Sequence, residues 1–265
     1  MLKLIATDMD GTLLNSNHEV SAEFSEVLRE LKERNIIMSI ATGRSYPDAL
    51  SKVEEYKDSL MFICENGCVV YYKDECIYSH YISKGNIDKL VEIGRKVPDA
   101  YTVLSGKNAI YVEDEKAKEL LVSMFSTQAP IIKVDSLLDI NDDVFKVNVL
   151  DTINSQENSF NYFKDCDVKD IKIVPSGIHW LDIMSSKANK GVAIKYIQDK
   201  FNINYDETMV FGDYLNDLEM MKTAYYSCAM KNAHCDLKKE ANFITEYTNN
   251  ENGVIRAIKE IETAK

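Results

Sequence analysis

The chain is poor in the residues that interrupt or cross-link a fold. Of 265 residues only 4 are proline and 10 glycine. No Pro/Gly/Ser-rich linker and no internal repeat is visible, so any junction between domains is short. No apolar run approaches the roughly 20 residues that a membrane-spanning helix needs. The N-terminal run Met1-Leu-Lys-Leu-Ile-Ala-Thr is ended by Asp8 and Asp10, too early for a secretory signal. There are 6 cysteines but no Cys-x-x-Cys pair. A chain this long buries a sizeable core without disulfides, so the cysteines read as free thiols of a reducing cytoplasm. Cys64 and Cys68 lack the second Cys/His pair that a zinc site requires. Positive charge is also short: 31 Lys+Arg face 43 Asp+Glu, a net charge of −12. That excludes nucleic-acid and anionic-membrane partners, which need a basic footprint. An anionic ligand would have to be met by positive charge held locally.

What is present is a pattern of elements. Leu2–Thr7, Ile36–Ala41 and Leu60–Cys64 are short apolar runs. Phe24, Val27, Leu28 and Leu31 form the stripe of a surface helix between the first two, with Ser21 as its N-cap. Strand, helix, strand at this spacing predicts a parallel α/β sheet, whose functional loops lie at the carboxyl ends of its strands. A hairpin around Lys73-Asp74 follows, with strands Val69–Tyr72 and Ile77–Ile82. The middle is richer in strands and reads as α+β, with helices near Ile87–Val97, Glu115–Phe125 and Gln156–Phe163. After about Met184 the alternation returns: a helix from Gly191, a strand Thr208–Phe211, a helix from Asn216, a strand Tyr226–Met230 and a closing helix Val254–Ile261.

Two acidic segments follow apolar strands. In Asp8-Met9-Asp10-Gly11-Thr12 the carboxylates are two residues apart and can project to one side. Carboxylates that close suit a hard cation, or a nucleophile beside an acid/base group. A polar loop is the plainer alternative, and the rest of a calcium-binding loop is missing. In Gly212-Asp213-Tyr214-Leu215-Asn216-Asp217, Asp213 and Asp217 are spaced to face one ligand, or else Asn216 or Asp217 caps a helix. Thr42-Gly43-Arg44 ends the second strand and Lys190-Gly191 opens a helix. Taken singly, each of these is an ordinary turn or surface charge.

Taken together, Asp8-x-Asp10-Gly-Thr, Thr42-Gly-Arg, Lys190-Gly and Gly212-Asp213-x-x-Asn216-Asp217 resemble the four motifs of the haloacid dehalogenase-like (HAD) hydrolase superfamily. The long insert between the second and third motifs, and Glu65-Asn66-Gly67, resemble the Cof-type subfamily with a C2 cap. Tyr214, where a small residue is commoner, and Asn189, where serine is, are departures. The resemblance implies an α/β, Rossmann-like parallel-sheet core of residues 1–81 and 186–265, with an α+β cap of residues 82–185 inserted. It implies a cytoplasmic phosphatase acting on a small phosphorylated metabolite, as a monomer or weak homo-oligomer. Asp8 is then the nucleophile and Asp10 the general acid/base. Met9, Thr42, Gly43, Lys190 and Asn216 hold the phosphoryl group. Mg²⁺ is held by Asp8, Asp10 (through its carbonyl) and Asp213, with Asp217 supporting from behind. Lys146, Asn148, His179 and Trp180 are the cap candidates for meeting a leaving group, against the plainer readings of Trp180 as core and Lys146 as solvated, and Arg44 either reaches the site or serves structure. A phosphomutase, or a non-catalytic binding protein on the same fold, are the alternatives.

Overall fold

A computed structural model describes residues 1–124 and 127–263 of the chain. They form two compact units. The first combines Met1–Ser79 with the stretch from Asn189 onward, and the second is His80–Ala188.

The first unit begins with β1 (Leu4–Thr7), α1 (Phe24–Glu33), β2 (Ile37–Ala41), α2 (Tyr46–Val53), β3 (Leu60–Cys64), β4 (Val69–Tyr72) and β5 (Glu75–Ser79). The second unit holds α3 (Lys84–Gly94), β6 (Ala100–Gly106), β7 (Ile110–Val112), α4 (Glu115–Met124), β8 (Ile131–Lys133), β9 (Val144–Asp151), α5 (Ser159–Phe163), β10 (Ile171–Gly177) and β11 (Trp180–Ser185). The first unit is completed by α6 (Lys190–Phe201), β12 (Thr208–Gly212), α7 (Leu218–Met221), β13 (Tyr226–Ala229), α8 (Cys235–Glu240), β14 (Phe243–Ile244) and α9 (Gly253–Thr263). Among the described residues no helix is long and apolar enough to cross a membrane.

The sheet of the first unit runs β14-β13-β12-β1-β2-β3-β4-β5. From β14 to β3 every pairing is parallel, and β4 and β5 add an antiparallel hairpin. Its two-residue turn puts Lys73 and Asp74 at positive φ, the backbone a tight hairpin demands. β1 and β3 are buried along their whole length, which is why they read as continuous apolar runs. From β1 the chain passes to β2 and β3 on one side, and returns later to β12 and β13 on the other. The chain order therefore reverses beside β1. In such sheets the crevice beyond the strand ends at this reversal is where ligands bind. The loops after β1, β2 and β12 meet there, and they carry Asp8 and Asp10, Thr42, and Asp213.

Several local expectations need correction. Ser21 does not cap α1. A turn closed by Phe24 N–H on the Ser21 carbonyl intervenes, and no side chain caps the helix. The expected stripe of Phe24, Val27, Leu28 and Leu31 is buried. The second hairpin strand ends at Ser79 rather than Ile82. Phe125, the expected end of the helix from Glu115, lies outside the described residues.

The second unit has its own sheet, β10-β11-β9-β6-β7-β8, antiparallel except between β7 and β8. Strand alternation sends Val147, Val149, Leu181 and Ile183 to one face, where Leu90 and Val91 of α3 and Phe163 of α5 cover them. Val103, Val112 and Leu150 belong to a separate cluster with Ala117 and Leu121 of α4, against which Trp180 packs.

Candidate active site

Asp8 continues the line of β1 by one residue. Its N–H donates to the Phe211 carbonyl at 2.9 Å, which sets it beside the end of β12. The chain then turns back: Leu13 N–H donates to the Asp8 carbonyl and Leu14 N–H to the Met9 carbonyl. Gly11 has φ +75, and a Cβ there would run into the Asp213 carboxylate, so both backbone and space call for glycine. Thr12 Oγ1 donates to Asp213 Oδ1 at 3.0 Å, tying the two acidic loops together. Asn232 Nδ2 donates to the Gly11 carbonyl and Asn249 Nδ2 to the Leu14 carbonyl, which hold the turn from the far side.

The loop after β12 is organised by Asp217. It is the last residue of a single tight turn, Leu215–Asp217, and holds the N-cap position of α7, though its side chain caps no amide of that helix. Its Oδ2 reaches back to accept from Asp213 N and Tyr214 N, at 3.0 and 3.2 Å. Its Oδ1 accepts from Lys190 Nζ at 2.7 Å. Lys190 opens α6, whose N-cap Asn189 accepts from Val192 N at 2.9 Å through Oδ1. The same ammonium lies 2.5 Å from Asp8 Oδ1.

One oxygen each of Asp8, Asp213 and Asp217 falls within 4.8 Å of the others. Burial, added to by Asp217 and opposed by Lys190, pushes the Asp8 carboxyl above its ordinary value. Burial and Asp217 raise Asp213 in the same direction. Burial works to lower the Lys190 ammonium, but Asp217 and Asp8 outweigh it and raise it, keeping it charged. The cluster thus carries more carboxylate than its one lysine neutralises.

Asp10 turns to a different cation. Arg44 Nε donates to its Oδ2 and an Arg44 terminal nitrogen to its Oδ1, both at 2.7 Å. His18 Nδ1 lies 3.2 Å from Oδ1. Burial opposes ionisation of Asp10, but Arg44 and His18 prevail and lower its pKa.

These groups border a cavity of about 340 Å³ lined by Asp8, Asp10, Thr42, Gly43, Arg44, Asp213, Tyr214 and Asn216. Of the residues expected to hold a phosphoryl group, Thr42, Gly43 and Asn216 line it. Lys190 and Met9 have wholly buried side chains and lie outside that lining. Lys190 is tied to carboxylates where a solvated surface lysine was the plain reading. Thr42 Oγ1 accepts from Arg44 N at 3.1 Å, leaving its hydroxyl hydrogen for a ligand. Asn216 Nδ2 donates to Asn66 Oδ1 at 3.1 Å. Glu65, Asn66 and Gly67 all have positive φ, a strained run that lets the chain pass against α6, where a Cβ on Gly67 would strike the Asn189 carbonyl. His18 and Asn232 were not singled out from sequence. Only packing connects them to motifs distant along the chain. Tyr214 lines the cavity and meets the His234 ring edge-on, with centroids 5.6 Å apart.

The other four candidates belong to the second unit. Asn148 is buried, accepting from Ser105 Oγ at 2.8 Å and donating to Asp182 Oδ1 at 2.6 Å. His179 Nδ1 is 2.8 Å from the Asp151 carbonyl. Trp180 packs beside α4, and Lys146 is half-buried on β9.

Aspartates gathered at the switch point of a parallel sheet, with a second α+β unit inserted in the chain, mark a hydrolase with a Rossmann-like core. The model of the haloacid dehalogenase-like hydrolase family matches residues 5–258, and the chain belongs to that family. Phosphatase YwpJ of Bacillus subtilis is 30% identical over 287 residues, covering 98% of this chain and 100% of the relative. The 5-amino-6-(5-phospho-D-ribitylamino)uracil phosphatase YbjI of Escherichia coli is 27% identical over 265 residues, covering 98% and 96%. The crystal structure of SMU.1108c from Streptococcus mutans superposes with a TM-score of 0.83 at 29% identity, covering 99% of this chain and 100% of that one. The expected fold class is therefore the observed one, and the chain is an enzyme of the phosphatase type.

Proposed function

We propose that the chain is a Mg²⁺-dependent phosphatase that hydrolyses small-molecule phosphomonoesters through an aspartyl-phosphate on Asp8. The observation that carries this reading is that Asp8 lines the cavity beside Asp213 and pairs with Lys190, with Asp217 close by.

The donor set fits a hard divalent cation. It offers carboxylate oxygens in excess of local positive charge, the condition a cation relieves. Asp8, the Asp10 carbonyl and Asp213 would hold it. Asp217, whose oxygens already accept from Lys190 and two backbone amides, supports Asp213 from behind. When bound, Mg²⁺ supplies positive charge that offsets the repulsion between Asp8 and a phosphate dianion.

In the first step an Asp8 oxygen bonds to phosphorus as the ester P–O bond breaks. Asp10, which has to take up a proton against the pull of Arg44 and His18 before this step, gives it to the departing oxygen, which leaves as an alcohol. In the second step Asp10 takes a proton from water as that water attacks the phosphorus. Inorganic phosphate leaves and Asp8 is restored. The Met9 backbone, Thr42, Gly43 and Asn216 orient the phosphoryl oxygens, and Lys190 adds its charge from behind Asp8. Positioning and charge are the main means of accelerating phosphoryl transfer.

The substrate is a sugar phosphate or a phosphorylated cofactor or its precursor. The name of the E. coli relative places a phosphoribityl compound on the panel. A cytoplasmic location and a monomeric or weakly associating state complete the proposal.

The test is phosphate release across a panel of phosphorylated metabolites with Mg²⁺, using Asp8→Asn as the blank. Turnover that is lost in EDTA and lost in Asp8→Asn supports the reading. Wild-type turnover by Asp8→Asn would sink it.

A further inference from the structure

Asp8 and Asp10 leave the same strand end two residues apart, yet their carboxylates are held by different cations. Lys190 holds Asp8 toward Asp213 and Asp217. Arg44 grips Asp10 with two nitrogens of its fork, one on each oxygen, and His18 touches Oδ1 from another loop. The Asp10 carboxylate is not among the oxygens gathered with Asp8.

The root of Arg44 is fixed. Its N–H donates to Thr42 Oγ1, its carbonyl accepts from Glu65 N, and the next residue, Ser45, caps α2 by accepting from Asp48 N. His18 is set by a left-handed backbone, φ 59, with its N–H on the Asn15 carbonyl. A planar fork on a fixed backbone sets both the direction and the rotation of the carboxylate it binds. A carboxylate held only by its own side-chain torsions has no such constraint.

We infer that Arg44 is a positioning residue for proton transfer by Asp10, acting through the carboxylate it grips rather than by binding the phosphoryl group. The inference rests on the phosphatase reading above. Arg44 separates the two neighbouring aspartates by role, leaving Asp8 to the phosphorus and Asp10 to the ester oxygen. The pair is partly exposed, with side-chain accessibilities of 26% for Arg44 and 42% for Asp10, so removing one partner leaves no wholly buried, unpaired charge.

The experiment compares kcat/KM for two aryl esters of similar shape, 4-nitrophenyl phosphate and 4-methoxyphenyl phosphate. This parameter covers the step in which the leaving group departs. Nitrophenolate is a weak base and leaves with little protonation, whereas methoxyphenolate needs the proton. Asp10→Asn should cost about 10²-fold or more on the methoxy ester and much less on the nitro ester. Arg44→Ala should bias the ratio of the two esters in the same direction by about tenfold or more, since small misplacements of a catalytic group carry losses of that order. In the Asp10→Asn background Arg44→Ala should add little. Arg44→Lys keeps the charge without the fork and should restore only part of the ratio. It also carries the test if Arg44→Ala melts early.

Equal losses on both esters, a full additional loss in the Asp10→Asn background, or complete restoration by lysine would overturn the inference and mark Arg44 as a phosphate binder. If Asp10→Asn itself fails to discriminate the esters, the role of Asp10 fails first. If only Arg44→Ala fails to do so, the phosphatase reading stands and this inference falls.

Discussion

Lys190 Nζ and Asp217 Oδ1 lie 2.7 Å apart, and both side chains are entirely closed to solvent. A buried ammonium is tolerable only where carboxylates and hydrogen bonds replace its water. Asp217 provides one such partner and Asp8 the other. Asp217 in turn holds the backbone of Asp213 and Tyr214, so the contact links α6, the loop after β12 and Asp8.

Removing that cation should be costly. Lys190→Met keeps the length of the side chain but leaves Asp8 and Asp217 facing each other without neutralisation. Breaking one side of a buried pair destabilises by about 3–5 kcal/mol. Urea denaturation should show a loss of that order, and adding Asp217→Asn should recover part of it. A Lys190→Met protein as stable as wild type would show that the pair is not structural.

Stability should also depend on pH through Asp8. Burial, opposed by Lys190, raises its folded pKa above the ordinary 3.8. The folded protein then keeps a proton that the unfolded chain releases. The stability from this group is full below the ordinary carboxylate range and is lost as pH rises through the folded value. In EDTA, Asp8 should therefore make the protein less stable on going from about pH 5 to about pH 8. Asp8→Asn should lack this contribution and show a shallower fall. Parallel slopes for the two proteins in urea melts would contradict the assignment.

Divalent cation should stabilise the folded state by mass action. At a concentration about 100 times its Kd, one ion bound only by the folded protein adds about 2.7 kcal/mol. A thermal melt with Mg²⁺ should move upward for wild type, and far less for Asp213→Ala. Equal shifts would place the ion elsewhere.

Two glycines should respond in opposite ways to alanine. Gly67 has φ +92 and no room for a Cβ beside the Asn189 carbonyl. Gly67→Ala should cost at least about 1–3 kcal/mol, the range for a strained backbone, and should lower turnover by moving α6 and Lys190. Gly85, near the start of α3, has open space where a Cβ would go. There alanine should stabilise by about 0.4–1 kcal/mol through the unfolded chain. Chemical denaturation of both variants checks the pair.

Much of the architecture was legible because it depends on short-range pattern. The apolar runs of β1, β2 and β3, the helical stripe from Phe24 to Leu31 and the turn at Lys73-Asp74 each reflect neighbouring residues meeting a local periodicity. What failed was also local in kind. Ser21 has the chemistry of a cap, but an extra turn separates it from α1. Asp217 does stand at the N-cap position of α7, but its side chain caps no amide of that helix and reaches back to the amides of Asp213 and Tyr214. Residue type indicated hydrogen bonding to backbone N–H groups, while the turn geometry chose which ones.

The sequence by itself determined the alternation of strands and helices, the acidic strand ends and the shortage of positive charge. These follow from residue size, polarity and order along the chain. The partners of each charge were decided only by the tertiary structure. Lys190 reaches Asp8 across 182 positions and Arg44 reaches Asp10 across 34. Such contacts arise because the parallel crossovers bring separate strand ends to one crevice. Burial there removes the water that would otherwise screen the charges, so placement rather than net charge sets how an acidic chain can meet a phosphate ester.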